Sequence, residues 1–114
     1  MKAFLLASSI LISLGTSASA LTAEQLVNLC AAIGGKEEVE VPKCIYWING
    51  FTAAVFALQT VDNLKTCLPS PLSDSQSREA ILNYVGKHPK MANLDASVVA
   101  LAGLKAAFPC RNSN

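Results

Sequence analysis

Residues 43–67 read KCIYWINGFTAAVFALQTVDNLKTC, and the reading of this stretch decides the fold. Cys44, Ile48, Phe51, Val55 and Leu58 recur at spacings of three and four, the stripe of an amphipathic helix. Trp47, Ala54 and Val61 widen the stripe, while Tyr46, Ala53, Phe56 and Ala57 make the opposite side apolar too. A helix apolar almost all round is either central or faces a second subunit as well. Gly50, Ala53 and Ala57 are small enough to let another helix approach closely. Asn49, Thr52 and Gln59 interrupt the run, which argues against a membrane span. The helix is expected to end near Asn63, just before Cys67.

Working toward the N-terminus, residues 21–35 read LTAEQLVNLCAAIGG. Thr22 followed by Gln25 is a capping-box pattern. Leu26, Leu29, Cys30 and Ile33 share one helical face, and Gly34-Gly35 is a stop. The charged stretch KEEVEVPK (36–43) reads as a loop, with Pro42 in the first turn of the central helix. Its Glu37, Glu38 and Glu40 read as solvated side chains rather than a cation site, because no other oxygen ligand lies at suitable spacing.

Working toward the C-terminus, LPSPLSDSQ (68–76) is a turn, since Pro69 and Pro71 exclude regular structure. Ser73 and Gln76 repeat the capping-box pattern. Ile81, Leu82, Tyr84 and Val85 then form the apolar face of a third helix, which Pro89 ends by Lys87 or His88. After the short connection KMAN (90–93), Val98, Leu101, Leu104 and Phe108 make the core stripe of a fourth helix. Ala100, Gly103 and Ala107 line a small-residue face on it. Asp95 in the first turn and Lys105 in the last both suit the helix dipole, and Pro109 closes the helix just before Cys110. The expected fold is all-α: a small, disulfide-stapled four-helix domain.

Residues 1–20, MKAFLLASSILISLGTSASA, place Lys2 before an apolar run and close on Ala18-Ser19-Ala20. This is the pattern of a cleavable signal peptide, too short in its apolar core to span a bilayer. The helical domain is then residues 21–114, an exported chain. Nine Lys and Arg stand against eight Asp and Glu in the whole chain, and losing Lys2 makes the two equal. A neutral domain without a basic cluster is neither a nucleic-acid binder nor a membrane-surface protein. All four cysteines, Cys30, Cys44, Cys67 and Cys110, fall in the exported part, which reads as two disulfides. Their spacing fits no zinc pattern. Three connectivities are possible. Short links between antiparallel helices bring Cys30 toward Cys44, and they bring the ends of the second and fourth helices together. They therefore favour Cys30–Cys44 with Cys67–Cys110.

Catalytic chemistry needs a nucleophile, a base, a metal or a cofactor site. His88 is the only histidine, and no catalytic partner for it is recognisable. The cysteines form no C-x-x-C pair, and no nucleophile elbow, phosphate loop or H-E-x-x-H is present. The expectation is a non-enzyme that needs no cofactor.

From Cys44 to Cys110 the elements follow in a set order. They are Cys44, Trp47, Ile48 and Gly50 in one helix; Cys67 and Pro69 in a turn; Tyr84, His88 and Pro89 at a helix end; and Phe108, Pro109 and Cys110 at the close. In this order they resemble the Rap/Tai family of type VI secretion amidase immunity proteins, with Cys30 matching an earlier cysteine of the pattern. Two positions depart from it: Trp47 stands where tyrosine is usual, and Lys90 where an acidic residue is common. The resemblance implies a periplasmic, all-helical, often dimeric protein that binds a peptidoglycan amidase effector and blocks its active-site cleft. A cleft-blocking element must protrude. The connection Lys87–Leu94 offers Lys87, His88, Lys90, Met91 and Asn93 outside both core stripes, beside the plainer reading of an ordinary helix–helix turn. The alternatives are a periplasmic acid-stress chaperone, or a cell-envelope protein of the same fold without an immunity role.

Overall fold

The computed structural model describes residues 20–31 and 40–111. It contains four α-helices: α1 (Ala23–Ala31), α2 (Glu40–Val61), α3 (Asp74–Lys87) and α4 (Ala96–Ala107). A single 3₁₀ turn, Pro89–Met91, lies between α3 and α4. The signal-peptide reading of residues 1–20 falls, all but Ala20, outside the described residues, as do Ile33, the Gly34-Gly35 stop, Glu37 and Glu38. Helix α2 already includes Glu40, so the helix takes the end of the expected loop, with Pro42 in its first turn. It stops at Val61, two residues short of the expected end. Asn63 adopts a positive φ of 53°, a conformation that asparagine tolerates better than most residues.

Both capping boxes form. Thr22 N–H donates to Gln25 Oε1 (2.9 Å) while Gln25 N–H donates to Thr22 Oγ1 (3.2 Å). Ser73 and Gln76 exchange the same pair of bonds at 3.0 and 3.2 Å. These bonds satisfy backbone donors that a helix start leaves unpaired. Helix α4 begins differently from expectation. Asp95 is its N-cap rather than a first-turn residue, accepting from the Ser97 N–H at 2.9 Å.

The core joins all four helices. Leu26 of α1, Ile48 of α2, Ile81 of α3 and Leu104 of α4 are fully buried in one cluster. Burial of side chains this large is worth about 1.5–3 kcal/mol each. The disulfide Cys30–Cys44 runs through this core, its residues 4 % and 0 % exposed, and holds the end of α1 to the start of α2. Cys67–Cys110 ties the loop after α2 to the end of α4. The connectivity is thus the one favoured by the helix geometry, and every cysteine is bonded.

The fourth helix is rotated from the expected orientation. Val98, expected in the core stripe, is 56 % exposed, and Leu101 and Phe108 are only half-buried. The buried side is instead Ala96, Val99, Ala100, Gly103 and Leu104. The small-residue face decides the matter because it lets α4 lie directly on α3. A Cβ added at Gly103 would stand 3.0 Å from the Tyr84 Cβ and 3.2 Å from both the Ala80 oxygen and the Ile81 Cα. Close approach of two backbones gains dispersion along both helices, which outweighs burying one more valine.

Candidate functional site

The connection between α3 and α4 is built and held by its neighbours. Helix α3 ends at Lys87, and the His88 N–H donates back to the Val85 oxygen (3.1 Å). The following Pro89 lacks an N–H and turns the chain into the 3₁₀ turn. Met91 donates to the His88 oxygen (2.9 Å), Ala92 to Pro89 (3.2 Å) and Leu94 to Met91 (3.1 Å). The outward carbonyls of this loop then meet the start of α1. Ala23 N–H donates to the Leu94 oxygen and Glu24 N–H to the Ala92 oxygen, both at 2.9 Å. In return Ala96 N–H donates to the Leu21 oxygen (2.7 Å), and Thr22 and Asp95 form an antiparallel bridge. The unpaired amides at the start of α1 thereby become the clamp that fixes the loop.

His88 is positioned twice. Its ring stacks on Tyr84 with centroids 3.9 Å apart and planes 22° from parallel. Its Nδ1 lies 2.8 Å from the Tyr84 carbonyl oxygen. A carbonyl only accepts, so Nδ1 carries a proton and Nε2 is left for an outside partner. Lys87, His88, Lys90 and Asn93 are all exposed, so the loop presents two lysine cations and two hydrogen-bonding side chains on one short, braced turn. Met91 differs from these four. It is half-buried against the cluster of Ala23, Val85 and Val99 and anchors the turn from beneath. Beside the loop an open groove of about 440 Å³ runs along α3 and α4, bordered by Lys87, His88, Gly103 and Ala107.

At the N-terminus of α4 the Asp95 carboxyl is held below its usual pKa. The Ser97 hydroxyl and then the Ser97 backbone N–H stabilise the charged form, against a smaller opposing effect of desolvation. No cluster of three or more His, Cys, Asp or Glu side chains that would suit a metal occurs among the described residues.

A second surface lies on α2. Between Pro42 and Val61 only Cys44, Ile48 and Val55 are buried, with Trp47 and Phe51 half-buried and stacked on each other at 5.3 Å. The expected core residues Ala54, Leu58 and Val61 are exposed, Val61 by 77 %. Tyr46 (75 %) and Phe56 are exposed as well, and no atom of the described residues lies within 4 Å of a Cβ added at Gly50. No charged residue occurs from Cys44 to Val61. By length and composition the 20 residues Pro42–Val61 would also suffice to cross a membrane.

The loop is legible in the sequence, but its bracing is not. Nothing in the pattern shows that α1 would donate its first amides to Ala92 and Leu94, a contact between distant parts of the chain. The Tyr84–His88 stack had a local signal, an aromatic four residues before a histidine at a helix end, which places both rings on one face. In the sequence Gln59 only interrupts the apolar run of α2. It is the hub of the next loop, accepting from Thr66 Oγ1 and Leu68 N–H (both 2.8 Å) and donating to the Leu68 oxygen (3.3 Å).

Comparison with known proteins gives one family. The model of the Rap1a immunity proteins matches residues 22–110, which takes in all four helices, both disulfides and the braced loop. No curated protein and no solved structure matches the chain.

Proposed function

The chain belongs to the Rap1a immunity proteins, and from that premise we propose that it acts in the periplasm. There it binds a peptidoglycan amidase effector of a type VI secretion system and fills the enzyme's active-site cleft with the Lys87–Leu94 loop. Membership in the family implies an immunity role carried out by binding an effector protein rather than by catalysis. The observation that carries the finer reading is the bracing of the loop. A plug that is already ordered gives up little conformational entropy on binding, so more of its contact energy appears as affinity. Exposed Lys87, Lys90 and the free His88 Nε2 supply the polar contacts, and Met91 and Tyr84 hold them in place.

The experiment pairs the purified protein with the periplasm-targeted amidase of the same cell and follows peptidoglycan hydrolysis. Stoichiometric inhibition is expected. Replacing His88 and Lys90 together by alanine should weaken the complex by about a hundredfold, the size of a two-residue hot spot. Full inhibition by that double variant would move the contact elsewhere on the surface. Absence of any complex would favour a structural role in the cell envelope.

The bare side of α2 supports a homodimer as part of the same reading. A two-fold interface sets the same patch of both copies against itself, and an uncharged face such as Cys44–Val61 meets itself without repulsion. Ala53→Glu puts like charges against each other there. Sedimentation should show a dimer for the parent and a monomer for this variant. A parent that is monomeric at high concentration but partitions onto vesicles would assign the face to lipid instead.

A further inference from the structure

The two disulfides stand in opposite environments, and only one of them is open to chemistry. Cys30 and Cys44 are 4 % and 0 % exposed within the main core. Cys67 and Cys110 are both exposed, at the rim of an open cavity of about 270 Å³ that is also lined by Lys65 and Lys105. Arg111, also exposed, follows directly in the chain. We infer that Cys67–Cys110 is a selective thiol–disulfide exchange site, opened by a dithiol reductant while Cys30–Cys44 stays closed.

Exchange needs a thiolate to reach a sulfur and a leaving thiolate that is stable. The exposed pair meets the first requirement, whereas attack on Cys30–Cys44 requires the core to open first. The cations meet the second, since nearby positive charge lowers a thiol's pKa and speeds its departure. In the reaction one thiolate of the reductant attacks either sulfur, the Cys67–Cys110 bond breaks, and its electron pair leaves on the other sulfur. The second thiolate of the reductant then attacks the mixed disulfide and expels the remaining cysteine. Two electrons pass from the dithiol, which becomes a disulfide. Its two protons end on Cys67 and Cys110 or in solvent.

The fold also tolerates the opening. Gln59 holds Thr66 and Leu68 by three hydrogen bonds that do not involve the bridge, and Leu68 is buried in the main cluster. Helix α4 keeps its seat on α3 through Gly103 and Leu104. Reduction therefore leaves the helices in place and, among the described residues, frees Pro109–Arg111. This end of the α3–α4 hairpin is opposite the Lys87–Leu94 loop, so the exchange site is independent of the proposed binding loop.

The test titrates the oxidised protein with dithiothreitol as the dithiol probe, quenches with an alkylating reagent and reads each cysteine by peptide mass spectrometry. Cys67 and Cys110 should be alkylated at least about tenfold faster than Cys30 and Cys44. Far-UV circular dichroism should be unchanged at the point where only the first pair has reacted. Lys65→Gln with Lys105→Gln should slow the first step several-fold without changing the spectrum. Simultaneous loss of both bridges, prior loss of Cys30–Cys44, or collapse of the helical signal at the first step would each overturn the inference.

Discussion

Helices α2 and α4 are the two most apolar of the four described helices, each carries a glycine in its interior, and they use that composition in opposite ways. In α4 the glycine is the point of closest contact. Gly103 lies against the α3 backbone, and Ala96, Val99, Ala100 and Leu104 are buried around it. In α2 none of the described residues comes within 4 Å of a Cβ added at Gly50, and the surrounding Tyr46, Ala53, Ala54 and Ala57 are exposed. Hydropathy alone states how much a helix is able to bury. Which face it buries depends on where a neighbour gains most by close approach. Helix α4 buries its small-residue side within its own chain, and α2 leaves much of its apolar surface exposed among the described residues.

The strongest way to break this contrast is to remove matched apolar bulk from each helix. Leu104→Ala should cost about 2–5 kcal/mol in urea denaturation, because it opens a cavity in a fully buried site. Phe56→Ala, on the exposed side of α2, should stay within about 0.5 kcal/mol under dilute, monomeric conditions. Equal losses would mean that α2 is covered in solution even in the monomer. A milder challenge compares the glycines. Gly103→Val should destabilise by about 1–3 kcal/mol, since the obstacles are backbone atoms of α3 and the Cβ of Tyr84, which cannot rotate away. The same change displaces Tyr84, on which His88 stacks, so it should also weaken effector binding. Gly50→Ala should stabilise the isolated chain by up to about 1 kcal/mol through helix propensity.

Much of this architecture was legible because its signals are local. The capping pairs Thr22–Gln25 and Ser73–Gln76, the proline stops at 89 and 109, and the spacing of Cys44 and Ile48 each depend on residues within one helical turn of one another. The disulfide pairing followed from short links and antiparallel neighbours. The rotation of α4 was not legible, since Val98–Leu101–Leu104 and Ala96–Ala100–Gly103 are both regular stripes. Choosing between them needs the shape of α3, which a one-dimensional pattern does not contain. The same holds for the loop. Its residues were found from the breakers at its ends, but its rigidity comes from Ala23 and Glu24 amides some seventy residues earlier in the chain.

The smallest expected effect sharpens the contrast from the side of charge. Helix α4 starts on an ionisable cap, whereas α2 has no acidic or basic side chain from Cys44 to Val61. Asp95 has its pKa lowered in the folded protein from its ordinary value of 3.8, mainly by the Ser97 hydroxyl and then by the Ser97 N–H. A depressed carboxyl contributes stability that is present above its unfolded pKa and lost as pH falls through the lower folded value. Acid should therefore loosen the first turn of α4 below about pH 3.8, seen as faster amide exchange at Ser97 to Val99, while the exchange of Ile48 and Val55 in α2 is unmoved. Asp95→Asn keeps a capping oxygen without the titration and should abolish that pH step. If the step survives in this variant, the acid-sensitive group lies outside the α4 cap, and the difference between the two helices is one of packing alone.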